Sequence, residues 1–157
     1  MKKSKQPVSL GLDKIIYYAR ITKQGDSYLV EFPELPGCLT EGDSLEGARL
    51  NAREALSGWL FVAVKDGVEF SFPRVHRGKG YYPVIPDLDV AIPLLFFWAR
   101  RMRGLTQAQA AKQVGVSQQA YRKFEIPGKS NPTLKTVSKL VHVLDLPPGL
   151  ISPSYFH

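Results

Sequence analysis

The sequence predicts an α+β module followed by an all-α region, and three observations carry that reading. Residues 15–32 alternate apolar and polar side chains as strands do, and one long helical pattern follows. Three prolines, Pro83, Pro86 and Pro93, interrupt this alternation, and beyond them only helix-like segments remain. Charge changes at the same place. Residues 1–90 hold 12 Lys and Arg against 12 Asp and Glu, whereas residues 91–157 hold 9 against only Glu125 and Asp145. The second half therefore supplies the whole net charge of +7, which suggests a polyanionic partner for that half alone.

Composition narrows the class further. Apolar residues make up 44% of the 157 and aromatics 11%, enough for a packed core. No apolar run reaches the roughly 18 residues of a membrane helix, since LLFFWA stops at Arg100. The basic start MKKSKQPVSLGLDK leads into no long apolar stretch, so residues 1–14 are expected to be a flexible tail rather than a signal peptide. A lone cysteine forms neither an internal disulfide nor, by itself, a zinc site. A cytoplasmic protein without membrane contact, metal or cofactor is the simplest expectation.

The first module spans residues 15–85. KIIYYARITKQ and SYLVEF, joined at Gly25-Asp26, form a hairpin. Leu35-Pro36-Gly37-Cys38 suits a type II turn, with proline second and glycine third. A short strand, Cys38 to Glu41, follows. Asp43 is positioned to cap a helix, with Glu46 reaching back. That helix carries Leu45, Ala48, Ala52, Ala55, Leu56, Trp59 and Ala63 on one face and stops near Asp66-Gly67. GYYPVI supplies a fourth strand, completing β-β-β-α-β.

Residues 86–92 read as a linker and 93–157 as the helical domain, with Pro93 in a first helical turn. LLFFWARRMR is closed by Gly104, Thr106 caps QAQAAKQV, Gly115 closes it, and Ser117 caps QQAYRKFE. A fourth helix starts at Thr133 with Leu134, Val137, Leu140, Val141 and Leu144 on its apolar face. Two short helices joined by a tight glycine turn make a helix-turn-helix unit. Val116, Tyr121 and Phe124 must pack inward, which leaves Gln118, Gln119, Arg122 and Lys123 outward. Glutamines there can pair with adenine, Arg122 and Lys123 can reach phosphate or guanine, and Gln107 can donate to a phosphate. With Ser117 at the helix start, these are the candidate DNA-binding residues.

GLTQAQAAKQVGVSQQAYRKFE and NPTLKTVSKLVHVLDL resemble the helix-turn-helix domain of phage-repressor (XRE) type. The resemblance implies five helices, the third entering the major groove. It departs in the loop, where Ile126-Pro127 replaces a short polar link. Residues 15–90, with their PELPGC turn, TEGDS lead-in and NAREAL helix, resemble the HicB antitoxin family. Gly47 departs from it, where an acidic residue is usual. This resemblance implies a partial RNase H-like fold without the catalytic carboxylates. It also implies a role in masking a small HicA-type toxin, an mRNA interferase, and repression of the chain's own operon.

The same residues admit other chemistry. Cys38 would need His76 as a base to act as a nucleophile. Glu31, Glu34, Glu41 and Asp43 would have to converge to hold metal as in an RNase H-like nuclease. A regulator sensing a small molecule is a third reading. Under the antitoxin reading the candidate toxin contacts are Glu31, Glu34, Leu35, Glu41 and Asp43, an acidic edge for a basic RNA-binding toxin. Paired half-sites imply a homo-oligomer, a dimer or tetramer.

Overall fold

A computed structural model describes residues 9–151. Four antiparallel strands form one sheet: β1 (Tyr17–Gln24), β2 (Ser27–Glu31), β3 (Leu39–Gly42) and β4 (Tyr81–Val84), in the order β3-β2-β1-β4. The β1–β2 hairpin turns at Gly25-Asp26, and its register pairs Arg20 with Glu31 and Ile21 with Val30. Pro83, which has no N–H to donate, sits on β4 at the sheet edge. Tyr17, Ala19, Ile21 and Val30 point to the covered face and are buried.

Helix α1 (Leu45–Asp66) covers that face with Ala48, Ala52, Leu56, Leu60 and Ala63. Its cap is Ser44 rather than the expected Asp43, and the Ser44 hydroxyl accepts from the Gly47 N–H at 2.9 Å. With Ser44 as cap, the third helical position is Gly47, not Glu46, so no carboxylate reaches back. Leu45, placed on the apolar face by its spacing, is the first residue of the helix and is 38% exposed.

The expected linker is instead the start of a helix. Asp87 is held by α1 twice: its N–H donates to Ser57 Oγ, and its carboxylate accepts from Arg53 Nε at 2.7 Å. Helix α2 (Leu88–Met102) begins immediately after it and runs through Pro93. Proline inside a helix removes a backbone hydrogen bond. Burial of Val90, Ala91, Leu94, Leu95 and Phe96 opposes that loss. Residues 9–14 are likewise packed rather than trailing, with Leu10 and Leu12 buried and Leu12–Lys14 in a 3-10 turn. Residues 1–8 of the expected tail lie outside the described residues.

Three further helices follow, α3 (Gln107–Val114), α4 (Gln118–Phe124) and α5 (Leu134–Val143), then a 3-10 turn at Pro148–Ile151. Leu140, Val143 and Leu144 are buried, but Leu134 is 76% exposed, so the apolar face of α5 starts one turn later than its spacing suggests. Buried residues of both halves form one continuous core. Its joint is aromatic: Phe70 meets Trp59 and Trp98 edge-on and lies parallel to Phe97 at 6.3 Å. Such packed rings hold the two halves in one orientation.

Candidate functional site

Local sequence builds the helix pair α3–α4. The Thr106 hydroxyl accepts from the Gln109 N–H while the Gln109 side chain accepts from the Thr106 N–H, a complete capping box. Gly115 ends α3 with φ at +83°, a conformation costly for a residue with a Cβ. Ser117 caps α4 by accepting from the Ala120 N–H at 3.1 Å. Ala110, Ala111, Val114 and Tyr121 are buried between these helices and their neighbours, while Val116 and Phe124 pack partly buried against the same core.

That inward set decides what faces out. Gln118, Gln119, Arg122 and Lys123 of α4 are all exposed, as is Ser117. They form one polar, twofold positive face on a helix whose diameter fits the major groove. Gln107 is half-buried, and its amide donates to Glu125 Oε2 at 3.0 Å, which leaves its second amide hydrogen for a phosphate.

A buried ion pair orients α4 from below. Arg100 of α2 donates from Nε to Glu125 Oε1 at 2.6 Å, from Nη2 to Oε2 at 3.1 Å, and from Nη1 to the Leu105 carbonyl at 2.8 Å. Burial alone would lower the Arg100 pKa. The hydrogen bonds and charge of Glu125 outweigh it and hold the pKa above the ordinary arginine value. Neither residue stood out in the sequence. The only available signal was Glu125, one of two carboxylates in a strongly basic half.

The second candidate surface is the uncovered face of the sheet. Arg20, Glu31 and Tyr81 occupy neighbouring positions across β1, β2 and β4. Glu31 accepts from Arg20 Nη2 at 2.7 Å, with both side chains partly exposed. Glu34 is tied down by His76 Nε2 at 2.9 Å and by the Arg74 N–H at 3.1 Å. His76 stacks on Tyr81 with ring centroids 5.2 Å apart. Glu41 and Asp43 are exposed. Leu35, expected to touch a partner, is fully buried and anchors the turn from inside, so the structure corrects that role. The turn itself is as expected, with the Cys38 N–H donating to the Leu35 carbonyl and Gly37 at φ +84°.

Burial pushes the Cys38 thiol up to about 12, so little thiolate forms near neutrality. His76, the base it would need, binds Glu34 instead. Among the described residues no three of His, Cys, Asp and Glu are placed to hold a metal ion. No helix of the described chain is long and apolar enough to cross a membrane.

Comparison with known proteins adds four findings. A family model described as HicB_like antitoxin of bacterial toxin-antitoxin system matches residues 17–88, and one described as Helix-turn-helix matches residues 98–151. The chain is 30% identical over 118 residues to Antitoxin HicB 1 of Photorhabdus laumondii, covering 74% of this chain and 73% of that one. It is also 46% identical over 55 residues to an uncharacterized 14.9 kDa protein in the rep-hol intergenic region of Haemophilus phage HP1. That match spans 35% of this chain and 41% of the phage protein.

Proposed function

The chain belongs to the HicB-like antitoxin family, and from that premise we propose that it neutralises a small HicA-type mRNA interferase and represses its own operon. One observation carries the reading: a single chain with one continuous core presents two separate polar surfaces, one basic and helical, the other a sheet edge with exposed carboxylates. On α4, Gln118 and Gln119 read base edges, Arg122 and Lys123 meet guanine or phosphate, and Gln107 with Ser117 fixes register on the backbone. On the sheet module, Glu41 and Asp43, with Glu31 and Glu34 behind them, meet the basic surface by which an RNA-binding toxin holds its substrate. Inhibition is then steric and electrostatic, with no reaction catalysed. A homo-oligomer places two α4 helices on half-sites about one helical turn apart. The protein works in the cytoplasm, where its operator and toxin are.

Co-expression with any small basic protein that the adjoining reading frame encodes tests the first half. The two should co-purify, and Glu41→Lys with Asp43→Lys should slow their association and remove much of its salt dependence. Independence of association from both charge reversals would overturn the acidic-edge assignment. For the second half, Gln118→Ala or Gln119→Ala should cost about 1–3 kcal/mol in operator affinity and relax base preference. Parental affinity in both would mean that another face reads the DNA.

A further inference from the structure

The loop after α4 departs from a short polar link, and the structure gives that departure a place. Its residues Ile126 to Lys129 lie against α1 of the other module: a Cβ on Gly128 would stand 3.1 Å from Phe61 Cε2. Between them opens a cleft of about 580 Å³ whose lining includes Phe61 and Phe97. Its charged rim is drawn from both modules. Lys65 comes from the last turn of α1, Arg122 from α4, and Lys129 from the loop. All three are exposed, and within the described residues none is engaged in an ion pair. The carboxylate in the cleft wall, Glu125, is already matched by Arg100. The cleft mouth is therefore a cationic site directly beside the outward face of α4, and Gln107 shares its wall.

The geometry points to Lys65 as a DNA-backbone contact supplied by the antitoxin module. The nucleic-acid footprint then crosses the joint between the two halves. This rests on the DNA-binding reading above and extends it to a helix outside the helix-turn-helix. A duplex seated on α4 carries its phosphates past the start of α3 and the loop after α4, because those elements flank the recognition helix. Lys65 lines the same cleft, the aromatic joint ties α1 to α2, and Arg100 of α2 holds Glu125 at the end of α4. A flexible lysine acting as a point charge suits phosphate and carries no base information.

Fluorescence anisotropy of the full chain tests this, with a labelled duplex from upstream of its own reading frame and a scrambled duplex of equal length. Lys65→Ala should weaken both by the same factor and make the log–log salt slope shallower by about 0.9 per bound chain. Lys65→Arg should keep the slope, and both variants should melt with the parent. An unchanged slope in Lys65→Ala, with a reduced one in Arg122→Ala, would overturn this inference and leave the DNA-binding reading standing. Weaker retention of the co-expressed basic protein, with DNA affinity unaltered, would also overturn it and assign the cleft to protein contact. A parent chain that binds neither duplex removes both readings together.

Discussion

Replacing Arg100 by methionine removes one half of the buried ion pair beneath α4. The side chains of Arg100 and Glu125 are 11% and 3% exposed, so solvent screens the pair little. Arg100→Met leaves the Glu125 carboxylate buried, accepting only from Gln107. Stranding a charge this way costs about 3–5 kcal/mol, against about 0–1 for a surface pair. That is a large share of the ~5–15 kcal/mol that holds a domain folded. For a chain of this length, about 2–4 °C of melting temperature is lost per kcal/mol, so the midpoint should fall by roughly 6–20 °C. Differential scanning calorimetry reads the shift. Repeating it in high salt should give the same difference, because buried pairs are poorly screened. The double variant Arg100→Met, Glu125→Leu should recover most of the loss, since an apolar pair of similar volume avoids the buried charge. A single variant melting within about 2 °C of the parent, on the scale just used, would refute the reasoning. So would a double variant no better than the single.

Other consequences are simpler to read. Cys38 is 2% exposed, so a thiol reagent at pH 8 should reach it only as fast as the chain opens, and the raised thiol pKa slows the reaction further. Fast labelling of the folded protein would place the thiol elsewhere. Leu35→Ala should cost about 2–5 kcal/mol of stability in a urea titration while the folded fraction keeps its affinity for the basic partner protein. Gly58 lies mid-helix on α1, and apart from its own stretch of helix backbone no atom comes within 4 Å of an added Cβ. Gly58→Ala should therefore raise stability by about 1 kcal/mol, read as a melting point about 2–4 °C higher.

What was legible beforehand shares one property: the interacting groups lie within a few residues of each other. Thr106 with Gln109, Ser117 with Ala120, Thr133 with Thr136, and Leu35 with Cys38 are each three residues apart. Glycines at positive φ closed α1 and α3 where expected. Near the start of α1 local pattern points to Asp43 where Ser44 is the cap, because the two are adjacent and both side chains are competent caps. The outward face of α4 was also legible, since Tyr121 at 0% exposure leaves one orientation for the helix.

By itself, then, the sequence determined the order of strands and helices, the caps of α3, α4 and α5, the tight turns, the basic second half and the exposed row on α4. These follow from hydrogen bonds and periodicities that span four residues or fewer. Only the tertiary structure decided that Pro93 lies inside α2, that Leu35 is core, and that Glu34 holds His76 across 42 residues. It also decided the pairing of Arg100 with Glu125 across 25 residues, and the meeting of Lys65 with Arg122 and Lys129 at one cleft. Such contacts form between groups far apart along the chain. Their partners are set by which surfaces the packed core brings together, and no local pattern encodes that.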